Sequence, residues 1–373
     1  MSKKLLVITT EFGVEPCGSY RPSGMATFSR CVLKALVDSR RYGKVDAWGL
    51  CDSPGGAKWL ERNYLQDGRG SACSVNGYSG SRLALGVDFI RRNVRYDHVM
   101  FLHVNMARLH VFRPVLPHSL WLVGIEVRRR LAWYERMAVS RARPLLSISQ
   151  YSSDTMRQHN PELPPGAPVH LCVEPDSAWT TPLEGTDKPS YDASERRPAV
   201  LIVGRLSSTE KYKGHDQLLE AWPLVQREHP SAELWIAGDG DDRARLEARA
   251  LELGLARGVR FFGRVSHAEL GALYDTARVF AMPSSGEGFG LVFVEAMRRG
   301  LPCICSTDSA QEIVVHDHTG LVVPQTAQAL ATACNRLLSD DELCQRYSRA
   351  GFERAITSYT FEAFSRRLED ALP

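Results

Sequence analysis

Met282-Pro283-Ser284-Ser285-Gly286-Glu287-Gly288-Phe289-Gly290-Leu291-Val292-Phe293-Val294-Glu295-Ala296-Met297 is a stretch in which the apolar period changes. An apolar run from Ala277 stops at Pro283. Small residues follow, and then Leu291, Val294 and Met297 take the spacing of one buried helical face. Gly300 and Pro302 supply a helix stop. The stretch therefore predicts a strand, a tight Gly-rich loop and a helix N-terminus. Gly288 and Gly290 leave room for a ligand, and the first helical turn offers unpaired N–H groups that favour an anion such as phosphate. Glu287 and Glu295 bracket the loop with seven residues between them. Glu295 stands among apolar residues, where a carboxylate needs a partner or a polar ligand.

The 373 residues suffice for two domains. A hydrophobic content of 44% and a charged content of 24% describe a soluble globular chain, and no apolar run reaches the ~20 residues of a membrane span. Met1 to Ile8 has too short an apolar core for a signal peptide and reads as a first strand. Nine cysteines lack CxxC spacing, so buried free thiols and a reducing cytoplasm are expected; Cys303 and Cys305 would share one strand face. The net charge is only +3, and no nucleic-acid partner is expected. It is unevenly placed: residues 1–187 carry 24 Lys and Arg against 17 Asp and Glu, and the remainder 22 against 26. The cationic half could meet an anionic membrane surface or a phosphorylated acceptor.

Leu5 to Thr10 reads as a strand, followed by a long loop to Ser23 and a helix opening at Gly24. Such a loop marks a possible ligand-binding edge. Val45 to Leu50 and His98 to Val104 are further strands, with His103 at the C-terminal end of the second. Residues 51–80 carry no clear pattern. Leu120 to Ile125 is a strand, and a basic helix is expected after it, with Val127, Leu131, Tyr134 and Ala138 on one face and Arg128, Arg129, Arg130 and Arg136 solvated or facing lipid head groups. Leu145 to Ser149 and Val169 to Val173 complete this half. Residues 181–198 are the expected linker. A second alternating series follows, with strands at Ala199, Glu233, Val259, Ala277, Leu301 and Gly320. Alternation on both sides of a linker predicts two doubly wound α/β domains, residues 1–180 and 199–355, with a last helix in 356–373.

Arg205 and Lys213 are expected at the C-terminal edge of the second sheet, beside the helix that opens at Gly290. Two cations and bare glycine amides suit a diphosphate and could stabilise it as it leaves, with no metal required. Asp239-Gly240-Asp241 resembles a metal-binding DxD but reads as a turn at a strand end.

These residues resemble those of retaining GT-B glycosyltransferases, in particular glycosyltransferase family 4. Glu287 to Glu295 matches the E-x7-E motif. Gly204-Arg205-Leu206, Lys213-Gly214, Gly238-Asp239-Gly240, Gly263-Arg264-Val265, Gly300-Leu301-Pro302 and Gly320-Leu321-Val322 fall in the family's order. The resemblance covers nearly all of 198–325; the N-terminal half resembles the family in outline. It implies two Rossmann-like domains facing a central cleft, a nucleotide-diphosphate sugar as donor and no cofactor. Arg205 and Lys213 would hold the diphosphate, Glu295 the ribose and Glu287 the sugar ring. Backbone at Gly288, Phe289 and Gly290 would meet sugar or phosphate, and backbone at Arg264 and Val265 the base. His103 would be the active-site histidine, Gly24 the glycine of the first loop, and the last helix would return to the N-terminal domain. Two departures stand out: Ser23-Gly24 replaces paired glycines, and Cys172-Val173-Glu174 replaces Gly-Val-Asp. The expected activity is metal-independent hexosyl transfer from a UDP-glucose or GDP-mannose type donor to a hydroxyl of a lipid-linked saccharide, in a cytoplasmic protein peripheral to the membrane. The alternatives are a non-catalytic nucleotide-sugar-binding protein and a transferase acting on a small soluble acceptor.

Overall fold

The computed structural model describes residues 3–20, 23–65, 73–175, 189 and 191–372. The chain divides into two compact units: Met1–Pro175 with Phe361–Pro373, and Asp176–Thr360. Half of the expected linker lies outside the described residues, and near its far end Arg197 already opens a strand.

The first unit is built on β1 (Lys4–Thr9), β2 (Lys44–Gly49), β3 (Cys73–Gly77), β4 (His98–Phe101), β5 (His118–Leu122), β6 (Leu145–Ser147) and β7 (Ala167–Pro168). They pair in parallel in the order β3-β2-β1-β4-β5-β6-β7. Leu5 to Ile8 and Leu120 to Leu122 are buried on both faces, which explains their unbroken apolar runs. The strand order turns between β1 and β4, where open α/β sheets bind ligands. The segment after β1 leads to the helix Gly24–Asp38, and His103 follows β4. The last helix, Phe361–Ala371, packs on Gly24–Asp38. Its anchors include Arg367, which donates to the carbonyl of His170 at 3.0 Å.

Three local expectations are corrected. The patternless segment 51–80 contains a helix, Pro54–Asn63, and strand β3. The basic segment is not one helix: a turn at Ile125–Val127 precedes a helix at Trp133–Arg141. Glu135 sets that start, because it accepts from the Ala132 amide at 2.8 Å and from both Arg129 Nη atoms at 2.8 and 2.9 Å. Val169 to Val173 is no strand; Ala167–Pro168 takes the pairing with β6 instead.

The second unit holds β8 (Arg197–Val203), β9 (Glu233–Ala237), β10 (Val259–Gly263), β11 (Ala277–Met282), β12 (Cys303–Cys305) and β13 (Gly320–Val322). All pair in parallel, in the order β10-β9-β8-β11-β12-β13. The turn in strand order lies between β8 and β11, so the loops carrying Arg205, Lys213 and Glu287 emerge side by side.

The loop after β1 is fixed from two sides. Asp52 accepts from the amides of Phe12 and Gly13 at 2.7 and 2.9 Å. Arg30, buried, donates to the carbonyl of Phe12 and through Nε and Nη2 to both oxygens of Glu174, at 2.5 and 2.6 Å. Removing one partner strands the other charge away from water. Glu174→Ala is therefore expected to cost about 3–5 kcal/mol, seen as a lower midpoint in urea unfolding; an unchanged midpoint would show that the pair is not structural.

Candidate functional site

The site of the second unit starts from close backbone approach. Gly214 has φ +90°, and a Cβ there would stand 2.6 Å from the carbonyl oxygen of Pro283. The turn carrying Lys213 thus sits directly on the start of the Gly-rich loop. Two further bonds hold it. Ser285 N–H donates to the Tyr212 carbonyl at 2.9 Å, and Gln325 Nε2 donates to the carbonyls of Tyr212 and Pro283 at 3.2 and 2.5 Å. Neighbouring loops are laced in the same way: Gly204 N–H to Ala237, Leu206 N–H to Asp239 and Gly238 N–H to Gly263, at 3.0, 3.1 and 2.9 Å.

Glu210, which sequence reasoning missed, joins the two cations. One carboxylate oxygen lies 3.0 Å from Arg205 Nη2 and the other 3.1 Å from Lys213 Nζ. The Arg205 side chain is 70% exposed, whereas Lys213 and Glu210 are 15% and 13% exposed. Lys213 is the enclosed cation and Arg205 the exposed one. The ion pair spacing of three residues was visible in the sequence, but only the Lys211–Lys213 turn brings the two side chains together. His215, buried beside Lys213, has its pKa lowered to about 4, first by burial and then by that charge.

Gly290 has φ +94° and opens the helix Leu291–Arg298. A Cβ there would lie 2.8 Å from the Phe293 ring, so the position accepts only glycine without strain. The Phe289 side chain turns inward against Tyr359, with ring centroids 5.9 Å apart, and leaves its backbone in the loop. Asp308, also missed, fastens this loop. It accepts from Ser284 Oγ at 2.5 Å and from the amides of Glu287 and Ala310 at 2.8 and 2.9 Å. Burial pushes its pKa up to about 6 in spite of those donors. Its place after β12 was the available signal, since it lies at the same sheet edge as the residues that were found. Glu295 accepts from the Tyr274 hydroxyl at 3.1 Å, and burial raises its pKa to about 7. Arg264 and Val265 follow β10, two strand spacings (about 10 Å) from β8. Arg264 is exposed. Asp241 is engaged by Ser208, whose amide and hydroxyl donate to it at 3.1 and 2.5 Å.

In the first unit, His103 Nδ1 accepts from the Asn105 amide at 3.1 Å, which leaves the ring proton on Nε2. Nε2 lies 3.8 Å from Glu126, whose other oxygen accepts from the amides of Val123 and Gly124 at 2.8 and 3.0 Å. The segment Gly124-Ile125-Glu126 thus sets a carboxylate beside the Nε2 of the histidine. Gly24 opens its helix after the cap Ser23, and a Cβ there would meet nothing within 4 Å.

Residues 184–354 match the family of Glycosyl transferases group 1. The matched residues span the whole edge of the second unit described above. Among curated proteins, the glycogen synthase of Mycobacterium tuberculosis is 34% identical over 185 residues, 48% of this chain and 44% of that protein. A GDP-mannose-dependent alpha-(1-6)-phosphatidylinositol monomannoside mannosyltransferase of the same species is 34% identical over 219 residues, 56% of this chain and 54% of that protein. The chain spans about half the length of these relatives. Among solved structures, sucrose-phosphate synthase from Thermosynechococcus elongatus superposes with a TM-score of 0.75 at 21% identity, covering 99% of this chain and 98% of that one. Anabaena HepE in complex with UDP and glucose gives 0.72 at 18% identity, with coverage of 99% and 98%. The two doubly wound units have the GT-B fold expected from the sequence.

The Asp308 account gives a direct expectation. Asp308→Ala leaves three donors without their acceptor and is expected to cost about 3 kcal/mol or more. The Glu287 amide should then exchange with solvent faster than in the wild type. Unchanged exchange at Glu287 would mean that other contacts hold the loop.

Proposed function

We propose that the chain is a retaining, metal-independent glycosyltransferase. It moves a hexose from a nucleotide-diphosphate sugar of the UDP-glucose or GDP-mannose type to an acceptor hydroxyl. The observation that carries this reading is the packing of Gly214 on Pro283, which sets the turn of Lys213, with Arg205 sharing its partner Glu210, against the start of the Gly-rich loop at the turn in strand order. Both cations rest on Glu210 when no phosphate is present. A donor diphosphate exchanges places with Glu210 as their counter-charge and gains from charge-assisted hydrogen bonds. As the bond from the anomeric carbon to phosphate breaks, charge grows on the leaving oxygen. Lys213, Arg205 and the amides around Gly290 stabilise that charge. The acceptor oxygen forms its bond on the same face, and its proton passes to the leaving phosphate.

Glu295 binds the ribose hydroxyls as a carboxylate, and Glu287 meets the sugar ring. The loop at Arg264 and Val265, two strands away, is at a distance suited to the base. His103 donates its Nε2 proton to a substrate hydroxyl, with Glu126 beside that same nitrogen. Gly24, beside open space at the start of its helix, leaves room for the nucleotide sugar. The binding of Asp241 to Ser208 supports a cation-driven rather than a metal-driven leaving group. The relatives named above include a mannosyltransferase of a phosphatidylinositol mannoside. That supports a lipid-linked saccharide acceptor, in envelope or exopolysaccharide synthesis, for an enzyme working at an anionic cytoplasmic membrane face. Among the described residues, no helix is long and apolar enough to cross a membrane.

A thermal-shift panel of UDP, GDP and ADP and their hexose conjugates tests the donor site. One nucleotide family should raise the unfolding temperature. Lys213→Ala should weaken binding about tenfold to a hundredfold, and Arg205→Ala less, because Arg205 is the more exposed. A shift that is the same in Lys213→Ala would remove the diphosphate assignment.

The pH dependence follows from Glu295. Its native pKa, near 7, lies above the ordinary carboxylate value, so the native state holds the proton more tightly than the unfolded chain. The stability it contributes falls as pH rises toward 7 and then levels off. Donor affinity, which requires the carboxylate, rises over the same interval. Glu295→Gln should bind weakly and lose that pH dependence; a wild-type affinity that is flat from pH 5 to 8 would contradict the ribose role.

A further inference from the structure

The first unit also holds a cavity of about 670 Å³ at the edge where its strands begin, opposite the ends that carry Gly24 and His103. Lys4, Lys44, Lys58, Arg92 and Arg95 line it. Two carboxylates share the space, and both are already engaged. Asp46 accepts from the Tyr96 hydroxyl at 2.7 Å, the Ser74 hydroxyl at 2.5 Å and Lys44 Nζ at 3.0 Å. Glu61 accepts from the Val75 amide at 2.9 Å. Arg92 lies 3.5 Å from Asp88. Among the described residues, Lys4, Lys58 and Arg95 have no carboxylate partner for their side chains.

The five cations that line the cavity outnumber its carboxylates Asp46 and Glu61 even with Arg92 offset by Asp88, so the cavity has a net positive potential that attracts a multiply charged anion. An arginine fork beside lysines matches the several oxygens of a phosphate better than a single carboxylate. The volume exceeds what a lone phosphate fills and lies in the range of small-molecule sites. We propose that this cavity binds a phosphate-bearing ligand, at a site separate from the donor edge and independent of the transferase reading.

The ligand's source is either a soluble phosphate ester or a phospholipid head group. The second is raised by the rim. Val94 lines the cavity and is 71% exposed. Ile90 and Leu83, four and eleven residues before it, are 51% and 80% exposed on the helix Arg82–Arg92. An exposed apolar stripe beside a cationic pocket suits an interfacial surface.

Inorganic pyrophosphate, titrated by calorimetry into the full-length protein, is the first probe. Because pyrophosphate can also occupy the donor edge, Lys213→Ala is titrated in parallel. The proposal expects a binding event that persists in Lys213→Ala and weakens at least about tenfold in Lys58→Ala/Arg95→Ala. Both replaced residues are exposed, and an unchanged melting temperature verifies the fold of the double variant, with Lys58→Gln as the milder substitute. Flotation with vesicles of phosphatidylglycerol in phosphatidylcholine separates the two sources. A lipid head group predicts co-flotation that is lost in Lys58→Ala/Arg95→Ala and in Leu83→Ser/Val94→Ser. A soluble ester predicts pyrophosphate binding without flotation. The proposal is overturned if pyrophosphate binding disappears in Lys213→Ala, if it is unchanged in Lys58→Ala/Arg95→Ala, or if neither probe binds.

Discussion

The second unit's site depends on one contact, the backbone of Gly214 against the carbonyl of Pro283. No side chain fits between them, so the loop after β8 and the loop after β11 form one surface. Parallel pairing puts both loops at the same sheet edge, and the turn in strand order leaves an opening there. Lys213 and Glu210 then stand on the loop that packs against the one leading to the helix N-terminus at Gly290. The Gln325 and Ser285 bonds and the Asp308 fastening keep that surface in place.

Such a surface suits electrostatic catalysis. Lys213 and the helix N-terminus at Gly290 are held before a ligand arrives, which limits reorganisation as charge develops. Glu210 supplies the counter-charge in the empty state. Lys213 is enclosed and held, while Arg205 reaches from an exposed position. On the proposed reading, the first holds the diphosphate and the second follows it.

Backbone-driven features were legible in the sequence. Unbroken apolar runs marked the buried parallel strands, and Gly-rich loops marked their C-terminal ends. The placing of the loop Ser284–Gly290, Arg205, Lys213 and His103 at a sheet edge was legible because parallel pairing sends the segments after the strands there. What was not legible depends on side-chain partners from distant parts of the chain. Glu210 looks like any surface glutamate until the turn at Lys211–Lys213 folds it onto two cations. Asp308 and Gln325 reach the loop from beyond β12 and β13. Glu135 shortened the basic helix by binding back to Ala132, which apolar spacing could not reveal. Strand β3 was hidden because Cys73–Gly77 is short, polar and at the sheet's outer edge.

The central claim is that one edge of the second unit takes a nucleotide diphosphate. Hydrogen–deuterium exchange on the full-length protein, with and without the nucleotide diphosphate that binds, tests it most directly. The account predicts slowed exchange in the segments 204–214 and 284–295, with a smaller effect at 263–266. Protection confined to other segments, at a nucleotide concentration where binding is independently established, would contradict it.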